Sequence, residues 1–199
     1  MPRLFVGLEI PSDIAFALSL KRGGLPGARW IDREKYHITL RFIGDVDERT
    51  ADDVVDTLYH IDRPPFEISL GNLDMFASRK PHSLWASVSP SIPLMALQSE
   101  IERQMRRIAL APDSRKFTPH VTIARLKGTG FDDAARYLNQ RGEYFSPLFQ
   151  VSRFVLLSSR SATGGGQYRI EEAFDLYRDQ IYEEEKIRSD HHYNLPHSA

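Results

Sequence analysis

The chain contains no cysteine. It can therefore form no disulfide, no thiolate metal cage and no cysteine nucleophile, and this usage fits a reducing compartment. A long apolar run is missing too. The opening stretch from Arg3 to Ile10 is interrupted at Glu9, too soon for a signal-peptide core or a membrane span, and no other stretch approaches about 18 uninterrupted apolar residues. Nor does charge of one sign dominate: 26 Lys and Arg face 27 Asp and Glu, for a formal net charge of -1, so any nucleic-acid contact has to be local. Neither glycine cluster, Gly23-Gly24 with Gly27 or Gly164 to Gly166, fits a phosphate-binding loop or a dinucleotide fingerprint.

What is present is the composition of an ordinary globular protein, 41% hydrophobic and 27% charged over 199 residues, enough for a sizeable core. Leu4 to Ile10 predicts a strand, and Ser12 is placed to cap a helix with Ile14, Ala17 and Leu18 on one face. Tyr36 to Ile43 alternates, with Ile38, Leu40 and Phe42 on one side and His37, Thr39 and Arg41 on the other, as a half-buried strand does. Asp47 can cap a helix striped by Ala51, Val54, Val55 and Leu58, and strands are predicted over 66–73 and 84–88. The second half repeats this plan. Ser91 and Pro93 open a helix carrying Leu94, Leu97, Ile101, Met105 and Ile108, followed by a strand over 119–126, a helix over 132–140, and strands over 148–157 and 168–176. A flexible loop is expected at Thr163 to Gly166. From Asp179 the chain is charged and nearly coreless, so Glu183 to Glu185 and the His191-His192 pair read as a solvated tail.

Two tetrapeptides carry the chemistry, His37-Ile38-Thr39-Leu40 and His120-Val121-Thr122-Ile123, each inside a predicted strand. With 7 His and 7 Thr in the chain, chance supplies roughly 0.05 such units, so a pair calls for an explanation. In a strand, residues i and i+2 share a face; each unit anchors itself by its aliphatic residues and presents an imidazole beside a hydroxyl. A single unit is also what an ordinary solvent-facing strand looks like, since Thr is a good strand former. Two of them on halves of a repeated plan point to an acid and a base. Imidazole exchanges protons near neutrality, and Thr hydroxyls can hydrogen-bond phosphoryl oxygens, so facing units would hold a phosphate for in-line displacement. Two histidines without further clustered ligands make a poor metal site. Between Glu102 and Lys127 seven basic residues face two acids; Arg103, Arg106 and Arg107 read as solvated helix surface, whereas Arg125, five residues past His120, is a phosphate candidate. Strict alternation would turn Ala124 rather than Arg125 to the motif face, so Arg125 reaches phosphate only past a bulge or a strand end.

With these motifs and their flanks, Arg3-Leu4-Phe5-Val6-Gly7-Leu8, Trp30-Ile31-Asp32, Arg41-Phe42-Ile43-Gly44, Phe117-Thr118-Pro119, Ala124-Arg125-Leu126 and Tyr168-Arg169-Ile170, the sequence resembles the 2H phosphoesterase superfamily. Within it, the resemblance is to the RNA 2',3'-cyclic phosphodiesterases, also called 2'-5' RNA ligases. The resemblance implies an α+β fold of two lobes related by pseudo-symmetry, mainly antiparallel sheets lining a central cleft with helices outside. It implies hydrolysis of RNA 2',3'-cyclic phosphate termini to 2'-phosphates with no metal or other cofactor, and weak reversible 2',5' joining of RNA ends. By motif position His37 and His120 would be the catalytic acid–base pair and Thr39, Thr122 and Arg125 the substrate-binding residues; the motifs are symmetric and do not order the pair, and we expect His120 to activate water and His37 to protonate the departing 3' oxygen. Phe5, Phe42, Trp85 and Tyr168 are candidates for base stacking or for core. We expect one domain over 1–178 and a tail over 179–199, and a cytoplasmic monomer acting on RNA ends away from membranes. A non-catalytic RNA-end or nucleotide-binding module, and a phosphodiesterase for another cyclic or 2',5'-linked nucleotide, are the alternatives.

Overall fold

Alternating and β-branched segments become strands, and capped amphipathic segments become helices, in the computed structural model, which describes residues 3–76, 80–159 and 168–177. In chain order the elements are β1 (Arg3–Glu9), α1 (Ser12–Ser19), β2 (Ala28–Trp30), a 3-10 turn (Arg33–Lys35), β3 (His37–Asp45) and α2 (Glu48–Tyr59). Next come β4 (Phe66–Ile68), β5 (Leu70–Met75), β6 (Ser83–Val88) and α3 (Ile92–Arg107). Finally come β7 (His120–Leu126), α4 (Phe131–Arg141), β8 (Phe149–Val151), β9 (Arg153–Ser159) and β10 (Tyr168–Asp175). The predicted loop at Thr163 to Gly166 and the tail over 179–199 lie outside the described residues.

The fold is α+β. Eight strands form one antiparallel sheet in the order β10-β9-β1-β3-β7-β6-β5, with β2 also paired to β7, while β4 and β8 make a separate ribbon. At the centre, β3 and β7 share a single registered pair, Ile38 with Val121, so the sheet consists of two halves joined at that point. Helices α2 and α3 back the β10-to-β3 half, and α4 packs under β5. On the helix side Leu4, Val6, Leu8, Ile38, Leu94, Leu97, Ile101, Val121 and Ile123 join one core. Phe5, Val155 and Leu157 form a smaller cluster on the opposite face.

Both anticipated helix caps form. Asp47 Oδ1 accepts from the Thr50 N–H at 2.7 Å, and Ser91 Oγ accepts from the Leu94 N–H at 3.3 Å, each satisfying a donor that the first helical turn leaves unpaired. Ser12 does not cap α1; it is the first helical residue, after Pro11, and α1 buries Ala15 where Ala17 was expected. Both alanines lie near the same ~100°-wide stripe, and packing selects between them. Two predicted strands are each broken by a serine. Ser69 leaves the ladder to pair its hydroxyl with that of Ser89 at 2.9 Å, and Ser152 gives its carbonyl to the Leu176 N–H at 2.7 Å.

Candidate active site

Antiparallel pairing of Ile38 with Val121 sets His37 opposite Thr122 and Thr39 opposite His120. Because Ile38 and Val121 point into the core, these four side chains share the other face, and all four are half-buried. The two units are built alike. From His37 to Phe42 and from His120 to Arg125 the order is half-buried, buried, half-buried, buried, buried, exposed.

A bulge in each strand explains that order. Against β1, Thr39 pairs with Gly7 and Arg41 with Val6, so Leu40 is the extra residue; against β6, Thr122 pairs with Trp85 and Ala124 with Leu84, so Ile123 is extra. One extra residue flips the facing of the residues that follow it up to the next irregularity, which in β3 comes at Ile43, between Phe42 opposite Phe5 and Gly44 opposite Leu4. Arg125, paired with Ser83, thus shares the face of His120 and Thr122, as a phosphate role requires. On β3 the same flip corrects the expected alternation. Phe42 lies on the histidine face, 46% exposed, while Arg41 turns into the core at 7% and meets Glu102 of α3, Nε to Oε2 at 2.6 Å. Arg41 also donates to the carbonyls of Phe42 and Ala111.

The two imidazoles are oriented in the same way. His37 Nδ1 lies 2.8 Å from the Lys35 carbonyl and His120 Nδ1 lies 2.6 Å from the Thr118 carbonyl, each two residues back. A carbonyl only accepts, so Nδ1 carries a hydrogen in both rings and Nε2 is left to gain or lose a proton. Burial pushes both imidazoles below their ordinary value of 6.5, the carbonyl contacts opposing it, and His37 is lowered further by the nearby charge of His120. Tyr36, beside His37 in the chain, points into the core, where burial raises its phenol to about 12.

Aromatic rings wall each histidine. Phe5 and Tyr168 lie 5.1 and 5.0 Å from the His37 ring, and Trp85 and Phe76 lie 5.5 and 5.3 Å from the His120 ring. Phe5 and Trp85 are buried, the core alternative of the two readings, and they confine the imidazoles. Arg103, Arg106 and Arg107 pair along α3 with Glu100, Glu102 and Gln104, as helix surface does. Among the described residues no three His, Cys, Asp or Glu side chains gather to hold a metal ion. Sequence reasoning missed Phe76, which carries no motif, and the backbone acceptors at 35 and 118, since any residue supplies a carbonyl.

Geometry of this kind has relatives. A model of the 2'-5' RNA ligase superfamily matches residues 19–163, a span that includes both His-x-Thr units. The RNA 2',3'-cyclic phosphodiesterase of Aquifex aeolicus is 30% identical over 186 residues, covering 87% of this chain and 97% of that one. The protein of that name from Aeropyrum pernix is 30% identical over 154 residues, covering 76% and 87%. In structure, E. coli LigT crystallised with 3'-AMP superposes with a TM-score of 0.71 at 21% identity, over 89% of this chain and all of that one. The family match and the relatives agree with the doubled motif on its split sheet: the chain belongs to the 2'-5' RNA ligase superfamily.

Proposed function

We propose that the protein hydrolyses the 2',3'-cyclic phosphate at RNA ends to a 2'-phosphate, with His37 and His120 as acid and base. The observation that carries this reading is the matched pair of imidazoles, each tied at Nδ1 to a carbonyl two residues back and each with Nε2 left for proton exchange on one face. Relatives named RNA 2',3'-cyclic phosphodiesterase over most of the chain support the substrate.

Neutral His120 takes a proton from water through Nε2 as the water oxygen bonds to phosphorus. The bond from phosphorus to the 3' oxygen breaks, and His37, protonated at Nε2, gives that oxygen its proton. The product is a 2'-phosphate beside a free 3' hydroxyl, with the proton moved from His37 to His120. Thr39 and Thr122, each opposite a histidine, donate hydroxyl hydrogens to the non-bridging oxygens, and Arg125 adds positive charge as the phosphorane forms. An RNA 5' hydroxyl entering in place of water leaves a 2',5' linkage by the same bond changes.

The proposal extends to one working unit over residues 1–178, acting as a cytoplasmic monomer. Both motifs lie in one chain on one sheet, and a cysteine-free sequence suits a reducing compartment. Among the described residues no helix is long and apolar enough to cross a membrane.

The test is incubation, in excess EDTA, with an RNA oligonucleotide ending in 2',3'-cyclic phosphate, resolving the two possible monophosphates. A 2'-phosphate is expected. A 3'-phosphate, or binding of the RNA end without turnover, contradicts the proposal.

A further inference from the structure

The two His-x-Thr units are equivalent in pairing, bulge and burial, yet they end differently. Five residues past His37 stands Phe42, and five past His120 stands Arg125. On the neighbouring strands, Thr39 and Phe42 are opposite Gly7 and Phe5, and Thr122 and Arg125 are opposite Trp85 and Ser83, two residues apart in both cases. Each therefore lies about 6.6 Å, two strand steps, beyond its threonine. Since β3 and β7 run in opposite directions, the histidine face has a fixed order: Arg125, then Thr122 with His37, then Thr39 with His120, then Phe42.

The Phe42 end has its own cation. Arg115, on the chain leading into β7, places its guanidinium 5.4 Å above the Phe42 ring, and its side chain is 70% exposed. Asp113 holds Nε at 3.1 Å and Nη2 at 3.0 Å, which fixes the guanidinium plane and leaves Nη1 outside that pair. A guanidinium lodged on an aromatic face and oriented by a carboxylate loses less freedom on meeting an anion than a lysine on the surface does. A terminal 2',3'-cyclic nucleotide has one phosphate, which the histidines occupy. The next phosphate belongs to the chain that precedes it.

We infer that Arg115, seated on Phe42, binds the phosphate immediately upstream of the reacting nucleotide. This rests on the RNA reading above and makes Arg115 a substrate-positioning residue that distinguishes a polynucleotide end from a free cyclic nucleotide.

The experiment compares kcat/KM for a trinucleotide ending in 2',3'-cyclic phosphate with that for the matching 2',3'-cyclic mononucleotide, in wild type and Arg115→Gln, across a series of salt concentrations. The substitution is expected to lower the trinucleotide-to-mononucleotide ratio about fivefold, mainly through KM, and to make the trinucleotide's salt dependence shallower by about 0.7 in logarithmic slope, the value for one single-strand phosphate contact. An unchanged ratio with an unchanged salt slope overturns the inference. Absence of turnover of either substrate by the wild type overturns the proposed function instead, so the two failures are distinguishable.

Discussion

Ile38 and Val121 are the one registered pair between β3 and β7, and each stands between the histidine and the threonine of its own unit. That single bridge determines which side chains face which, because its antiparallel register carries both histidines and both threonines to one face. The placement of the two histidines therefore depends on packing at Ile38 and Val121, both buried in the core.

Both imidazoles lose their protons below 6.5, chiefly through burial, and the pair is competent when it holds one proton. We expect kcat/KM to be bell-shaped with its optimum below about 6.5 and to fall towards tenfold per unit on the alkaline limb. The kcat profile should lie at higher pH, since bound phosphate favours the imidazolium. Steady-state rates from pH 5 to 9 check this; a kcat/KM optimum above about 7.5 contradicts it.

The same shifts bear on stability. The unfolded chain binds protons at these histidines more readily than the folded one, so stability is fully present above 6.5 and falls as pH drops through the two lowered values. Denaturant midpoints between pH 7.5 and 5 should decrease, and less so in His37→Gln.

Gly7 lies opposite Thr39, and a Cβ there would meet the Ile38 carbonyl oxygen at 2.9 Å and Leu157 Cδ1 at 3.3 Å. The first contact is backbone and cannot swing aside. Gly7→Ala should displace the peptide that joins Ile38 to Thr39 and lower kcat by about 10²-fold, the scale of a misplacement near 1 Å. Wild-type kcat in that variant would show that the strand absorbs the methyl group.

Glu102→Gln should destabilise the protein by about 3 kcal/mol, because it leaves the Arg41 guanidinium buried without its counter-charge. Urea denaturation measures this. A change below about 1 kcal/mol would mean that the carbonyls of Phe42 and Ala111 alone satisfy Arg41.

Arg125→Gln should lower kcat/KM about 10²-fold, on the scale of losing one charge-stabilising donor, whereas Arg103→Gln, which ends only a pair with Glu100 on the outside of α3, should change it less than about twofold. Equal effects would remove Arg125 from the site.

Much of this was legible in the residues themselves. The spacing of His37 with Thr39 and of His120 with Thr122 is a strand property, and the caps at Asp47 and Ser91 are local chemistry. What alternation could not show is the pair of bulges at Leu40 and Ile123, since a bulge is defined by the partner strand. Sequence reasoning required some such irregularity for Arg125 and did not suspect one in β3. For that reason plain alternation puts Arg41 on the face of His37 and Phe42 on the face opposite, the reverse of what the structure has. Three-residue β2 and the breaks at Ser69 and Ser152 were invisible for a related reason, as long-range partners decide them.

The most direct test of the account is single-turnover hydrolysis of an RNA 2',3'-cyclic phosphate end by wild type, His37→Ala, His120→Ala and the double variant, with binding of the RNA end measured alongside. If the two imidazoles act as one acid–base unit, each single variant loses about 10³-fold or more in rate while still binding, and the double variant is little worse than either. Full turnover in either single variant would contradict the account.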